Sequence, residues 1–196
     1  MKKTDNCKLC RSAGKKLFLK GEKCNLPSCP FLKRSYAPGQ SGAKSGMRRG
    51  SDFSHQLKEK QKARSIYGVG ERQMANYFKL ARKTKSETGN KLIQLLEMRI
   101  DNVVFRSGWA SSRDGARQMV VHKKISLNGK KTKTPSYQVT KGDEISTEAK
   151  GDKKTELPRW LKTSKSGTSV SVTDMPTKED VQEIYEEQLI IEYYSR

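Results

Sequence analysis

No stretch of the sequence holds the roughly 18 consecutive apolar residues that a bilayer-crossing helix needs, so a membrane-spanning chain is not expected. The start, Met1-Lys2-Lys3-Thr4-Asp5-Asn6-Cys7, lacks the apolar segment of a secretory signal, and no lipidation motif is present. Only 33% of the 196 residues are hydrophobic, below the usual globular share, which implies a core that is thin or divided. That length allows one domain or two small ones. Histidine is limited to His55 and His122, both among basic or polar neighbours, and no catalytic motif stands out, so an enzyme is not expected. Cysteine is absent beyond residue 29. Acidic residues are in the minority: 21 Asp and Glu stand against 41 Lys and Arg, a net charge of +20. A compact chain with that charge repels itself. A polyanion would relieve the repulsion, and nucleic acid is the commonest such partner.

The stretch from Asn90 to Glu144 carries the clearest pattern. Leu92, Leu95, Leu96, Ile100, Val103 and Val104 share one helical face, on one helix or on two short helices in series. Gly108 stops the run. Ser111, with Asp114 three positions on, resembles a capping box for a second helix, with Ala116, Met119 and Val120 inside and Arg113 and Arg117 outside. Ile125-Ser126-Leu127 leads into Asn128-Gly129, a strong hairpin turn signal, and Lys130-Lys131 begins the return. Tyr137, Val139 and Ile145 read as further short strands. The reading is a helix-turn-helix backed by a small antiparallel sheet with a basic surface. A helix N-terminus, with arginines on its first turns, suits phosphate; a solvated basic face is the plainer alternative.

All four cysteines fall in the pattern Cys7-x2-Cys10-x13-Cys24-x4-Cys29. Two close pairs separated by a loop is zinc-site spacing, because each pair turns two thiolates toward one point. A cytosolic setting argues against disulfides. Four sulfur ligands leave no open position, so the expected Zn2+ is a single structural ion. Leu17, Phe18, Leu19 and Phe31 are too few for a core, so metal binding would supply the folding energy of this segment.

Tyr36 to Gly50 is rich in Gly and Ser, with Lys44, Arg48 and Arg49 among them, and reads as an RNA-tracking arm in preference to a bare linker. Two helices follow: Ser51 to Gly68, with a sparse stripe of Phe53, Leu57 and Ile66, and Glu71 to Arg82, with Met74, Phe78 and Ala81 inside. Tyr67, Tyr77 and Phe78 are expected in the core. Leu157 to Leu161 is an apolar anchor, and Val170 and Val172 suggest a strand. Thr177 and Asp180 cap a last helix carrying Val181, Ile184 and Tyr185, and Leu189 to Tyr194 closes the chain as an apolar strand or docked tail. From Thr177 onward six acidic residues face two basic ones. Phosphate would repel that surface, so it suits a protein, either this chain's own basic helices or a partner; a solvated acidic helix is equally open.

With those residues laid out, the chain resembles bacterial small-subunit ribosomal protein four, nearly end to end. The likeness is carried by CxLC, LKGEKC, Ala37-Pro38-Gly39-Gln40, KEKQKARSIYGVGERQ (Lys58 to Gln73), LLEMRIDNVVFRSG (Leu95 to Gly108), SRDGARQMVVHKKISLNGKK (Ser112 to Lys131), PSYQV, KGDEI, PRWL and EQLIIEYYSR. The resemblance implies a structural protein of the cytoplasmic ribosome that binds the 5′ domain of 16S rRNA and nucleates assembly of the small-subunit body. It implies contact with ribosomal protein five, influence on translational accuracy, and a basic arm near the path by which messenger RNA enters. Some members also repress their own messenger. The four cysteines match the ligands of the family's zinc-bearing form. Two departures stand out: Thr147 to Glu156 is shorter than the family's usual helical insert, and Gln40-Ser41-Gly42 replaces Gln-His-Gly.

The expected fold is α+β: a zinc-stapled N-terminal segment with the basic arm (1–45), a small helical domain (46–97, completed by 177–196), an RNA-binding module of helix-turn-helix plus small antiparallel sheet (98–158), and an irregular or strand connection (159–176). The residues expected to meet RNA are Lys44, Arg48 and Arg49 in the arm and Lys58, Lys60, Lys62, Arg64 and Arg72 in the helices. In the module they are Arg99, Arg106, Ser111, Ser112, Arg113, Arg117, His122, Lys123, Lys124, Asn128, Lys130, Lys131, Tyr137 and Lys141. Glu179, Glu183, Glu186 and Glu187 are expected to face the partner protein.

Overall fold

A computed structural model describes residues 5–40, 42, 50–84, 87–148, 157–181 and 185–196. In chain order the helices are α1 (Asn6–Ala13), α2 (Pro30–Lys33), α3 (Asp52–Tyr67), α4 (Glu71–Lys83), α5 (Thr88–Glu97), α6 (Ile100–Arg106), α7 (Arg113–Val121) and α8 (Glu187–Ser195). The strands are β1 (Ile125–Leu127), β2 (Lys130–Lys131), β3 (Glu144–Thr147), β4 (Leu161–Thr163) and β5 (Ser169–Val172). The chain packs as two units: Met1–Phe78 with Glu183–Arg196, and Lys79–Gln182. The change of unit falls inside α4, and α5 packs with the second unit.

In the first unit, α1 starts at Asp5, whose carboxylate accepts the Cys7 amide, and stops at Gly14 with φ 67. α3 starts at Ser51, which accepts the Ser54 amide, and stops at Gly68 with φ 61. α8 lies along α3 through aromatic pairs. Phe53 stacks on Tyr193 at 5.7 Å, and just ahead of α8 the Tyr185 hydroxyl meets that of Tyr67 at 3.2 Å. Phe78 of α4 stacks on Tyr194 at 5.0 Å. Tyr67, Tyr77 and Phe78 are buried, as core residues. Leu189 to Tyr194 is therefore helical, where a strand or tail was expected. An apolar run this short does not separate the two periods, and the buried Ile190 with Tyr193 and Tyr194 follows the helical one.

A buried cation fastens α8 in place. Lys60 Nζ lies 2.9 Å from a Glu71 oxygen and 4.1 Å above the Tyr193 ring. The Tyr194 hydroxyl donates to that same oxygen at 2.8 Å, and Arg64 holds the other at 2.7 Å. Burial pushes the Glu71 carboxyl up, but hydrogen bonds from Lys60 and Tyr194 and the charges of Lys60 and Arg64 outweigh it, and the net shift is downward. Burial and the Glu71 carboxylate push the Tyr194 hydroxyl far above its ordinary range, so it remains a donor. The clamp is present above the ordinary carboxylate pKa and is lost as pH falls through Glu71's depressed one.

In the second unit the apolar run of Leu92 to Val104 forms two helices in series, α5 and α6, divided at Met98 and Arg99. Tyr137 to Val139 makes a single bridge, Gln138 with Arg99, where a strand was expected. Its neighbourhood serves the start of α6: the Ile100 amide donates to the Tyr137 carbonyl at 2.9 Å and the Asp101 amide to the Pro135 carbonyl at 3.3 Å. These carbonyls satisfy first-turn donors that the helix itself cannot. The sheet has five antiparallel strands in the order β2-β1-β3-β5-β4. Within residues 159–176, expected as an irregular or strand connection, β4 and β5 form one edge of this sheet, and Val170 opposite Ile145 and Val172 opposite Leu161 are buried in the common core. Trp109, Val120, Ile125, Val139 and Trp160 share that core. The Thr177–Asp180 capping box is present, yet it opens only a 3-10 turn (Lys178–Asp180), and Ile184 lies outside the described residues. No helix among the described residues is long and apolar enough to cross a membrane.

Candidate nucleic-acid interface

The basic surface of the second unit is built on an acidic interior. Glu97, fully buried at the end of α5, accepts Arg106 Nε and its terminal nitrogen at 2.9 Å each, and Asn102 Nδ2 at 2.7 Å. Asn102 Oδ1 in turn accepts Arg113 Nε at 2.7 Å. Arg113 also lies 4.4 Å from the Phe105 ring centroid and 4.0 Å from Glu97. Arg117, exposed on α7, approaches Asp101 at 3.7 Å. One buried carboxylate and one amide thus orient Arg106 and Arg113, both only partly exposed, before any ligand arrives.

Helix α7 begins one residue later than the sequence suggests. Ser112, not Ser111, is the cap and accepts the Gly115 amide at 3.2 Å. Ser111 is exposed ahead of it. At the far end of α7, His122, Lys123 and Lys124 are exposed in succession. Lys123 has φ 58, in the left-handed region that costs a side chain with a Cβ about 1–2 kcal/mol. The Lys123 amide closes the turn on the Val120 carbonyl at 2.9 Å, and Lys124 on Met119 at 3.0 Å. Only four residues further on, the Asn128-Gly129 turn, with φ 48 and 79, sets exposed Lys130 and Lys131 on the β1-β2 hairpin.

Several expected contact residues are engaged inside the protein. Arg99 is fully buried, with Nε and a terminal nitrogen on the two Asp101 oxygens at 3.0 and 2.6 Å. Lys60 is held in the α8 clamp, and Lys62 is buried against Glu59. Arg64 bonds Glu71 and the Val69 carbonyl. Asn128 uses both ends of its amide in the fold: Nδ2 donates to Asp143 at 2.8 Å and Oδ1 accepts the Glu144 amide at 2.9 Å. Lys141 is exposed but lies 3.2 Å from Asp174. Lys58, Arg72 and Tyr137 are exposed. Lys44, Arg48, Arg49 and Glu183 lie outside the described residues. Of the acidic end, Glu179 is exposed in the second unit, whereas Glu186 and Glu187 belong to the first.

Sequence reasoning missed Glu97, Asp101 and Asn102. The available signal was a pair of carboxylates four residues apart within an apolar helical run, where a solvated acid has no place.

In the first unit all four cysteines line one small cavity together with Asn6, Leu19, Lys20 and Phe31. None is in a disulfide, and Cys10, Cys24 and Cys29 are buried. The Leu17 amide points at Cys10 Sγ (3.5 Å) and the Lys20 amide at Cys24 Sγ (3.4 Å). Burial pushes the Cys10 thiol up, and the other three sulfurs add to the rise against the opposing Leu17 bond. A hydrogen bond to Cys7 and its charge raise the Lys20 ammonium. Among the described residues no three His, Cys, Asp or Glu side chains are already drawn up as a metal-holding group, so the sulfurs share the cavity without closing a ligand set. The donor type and number fit a thiophilic dication.

Residues 2–97 match the family profile described as ribosomal protein S4/S9 N-terminal domain, and residues 98–145 match the S4 domain. The small ribosomal subunit protein uS4 of Dictyoglomus thermophilum is 44% identical, over 97% of each chain. The uS4A protein of Symbiobacterium thermophilum and the uS4 protein of Thermus thermophilus are each 45% identical, over 97% of this chain and 96% of theirs. Profiles that meet at the junction of α5 and α6, with relatives aligned along almost the whole length, establish that the chain belongs to the bacterial ribosomal protein S4 (uS4) family.

Proposed function

We propose that this protein is a structural, non-enzymatic constituent of the small ribosomal subunit that binds 16S rRNA through its 5′ domain and nucleates assembly of the subunit body. The observation that carries the reading is the run of exposed cations from Arg117 through Lys131, set on α7 and the β1-β2 hairpin, with Arg117 lying 3.7 Å from Asp101. Charge on a preformed surface suits a folded RNA, which is read by shape and phosphate position. Affinity for a transcript of the 5′ domain should fall by about 0.7–0.9 log units per log unit of salt for each phosphate neutralised. A nearly flat salt dependence in filter binding would refute a phosphate-dominated interface.

Lys123 gives a sharper test. Lys123→Gly removes a Cβ from a left-handed position, so stability should rise by about 1 kcal/mol. The same change removes one cation, so the salt slope should drop by about 1. A variant that gains stability and keeps its full slope shows that Lys123 does not meet phosphate.

In the same reading, Cys7, Cys10, Cys24 and Cys29 hold one structural zinc ion. Exposed Glu179 and Glu186 and the half-buried Glu187, with Glu183, supply acidic surface for ribosomal protein five and through it influence accuracy. Lys44, Arg48 and Arg49 approach messenger RNA where it enters the subunit. Residence in the ribosome makes the protein cytoplasmic.

A further inference from the structure

The cysteine segment has surface features besides its thiols. Residues 5–40 hold eight basic side chains against two acidic ones, a bias of the same sign as the whole chain. Within it, Tyr36 is 43% exposed. The Arg11 guanidinium lies over its ring, 5.0 Å from the centroid. That guanidinium is fixed: Nε donates to the Tyr36 carbonyl at 3.0 Å, and a terminal nitrogen donates to the Ala37 carbonyl at 3.4 Å. Those bonds tie α1 to the backbone at Tyr36, while the ring itself stays at the surface with a tethered cation over one face. Phe18, in the same segment, is likewise 45% exposed, and its φ of 52 holds a bulky residue in a conformation that disfavours it.

We propose that Tyr36 and Arg11 form a stacking platform for an unpaired RNA base. The inference rests on the ribosomal reading above. The chemistry selects the ligand. Splayed bases in loops and bulges stack on aromatic rings and guanidinium planes, whereas a paired A-form groove offers no base face to such a ring. The cation behind the ring strengthens the stack, and the surrounding lysines suit the phosphates on either side of the base. A protein partner would be expected to bring apolar surface, and the local charge bias does not favour one.

The test uses the full chain and a transcript of the 16S rRNA 5′ domain. Tyr36→Leu keeps bulk and removes the π face; it should weaken binding roughly 5- to 150-fold, the range for losing one stacked base. The salt slope should not change, because no phosphate contact is lost. Tyr36→Phe should bind within about twofold of wild type, since the ring is retained. Ultraviolet cross-linking of the wild-type complex should place a nucleotide adduct on the peptide containing Tyr36, a readout that stands even if the leucine variant folds poorly. Wild-type affinity in Tyr36→Leu, a phenylalanine variant as weak as leucine, or no adduct at Tyr36 would each overturn the platform while leaving the ribosomal reading intact. A wild-type chain that ignores the transcript at low salt would overturn both.

Discussion

Asp101→Ala should lower the stability of the second unit by about 3–5 kcal/mol, the range for breaking a buried ion pair by removing one partner. The size follows from burial. Arg99 is fully buried, and Asp101 accepts from its Nε and a terminal nitrogen at 3.0 and 2.6 Å. Taking away the carboxylate leaves a guanidinium charge in the interior without its counter-ion. An exposed pair, such as Lys141 with Asp174, would by contrast contribute only about 0–1 kcal/mol. The double variant Arg99→Met with Asp101→Ala removes both charges and should be more stable than Asp101→Ala alone. Both tryptophans of the chain, Trp109 and Trp160, are buried in the second unit, so their fluorescence in urea reports that unit. A single variant within 1 kcal/mol of wild type, or a double variant worse than the single, would show that Arg99 is not held as the geometry implies. Arg99→Met should also leave the salt dependence of RNA binding unchanged, because a buried cation meets no phosphate.

Removing zinc should abolish the fold of the cysteine segment and leave the tryptophan signal untouched. The segment has almost no apolar core: Leu17 is its one fully buried aliphatic side chain among the described residues. Structural zinc in small peptides contributes an apparent binding free energy of about 10–16 kcal/mol, far beyond what one leucine offers. The metal would also offset the burial and the neighbouring sulfurs that raise the Cys10 thiol, and the Leu17 and Lys20 amides would donate to bound thiolates. Metal analysis should find about one zinc per chain, and Cys24→Ser should lose it. Hydrogen exchange is the direct readout. Amides of α1 should be protected in the loaded protein and exchange freely after chelation. Equal protection in both states would remove metal from the account of this segment.

The sequence revealed elements more readily than engagements. Helices α3, α4 and α7 and the Asn128-Gly129 hairpin follow from periodicity and local turn chemistry, which are properties of neighbouring residues. The nature of α8 did not, because a six-residue apolar run fits either period. The β5-β4 edge was half visible: Val170 and Val172 alternate, but their pairing with β3 is set by residues 25 positions earlier, Ile145 opposite Val170. For the candidate interface, counting cations overstated the surface. Lys60, Lys62 and Arg99 look like their exposed neighbours in sequence and are buried by Glu71, Glu59 and Asp101. Which lysine meets solvent depends on where a carboxylate on another turn or helix comes to rest, and spacing alone does not encode that.

The discontinuity of the first unit carries a consequence for biosynthesis. Its opening residues, Met1–Phe78, are completed by Glu183–Arg196, with the entire second unit intervening. On a translating ribosome, the second unit can therefore emerge and collapse while Phe53, Lys60 and Phe78 still wait for Tyr193 and Tyr194. During that interval the nascent chain presents an unfinished basic helix pair to the polyanions around it, and the aromatic rings of α8 close it only after the other unit has been made.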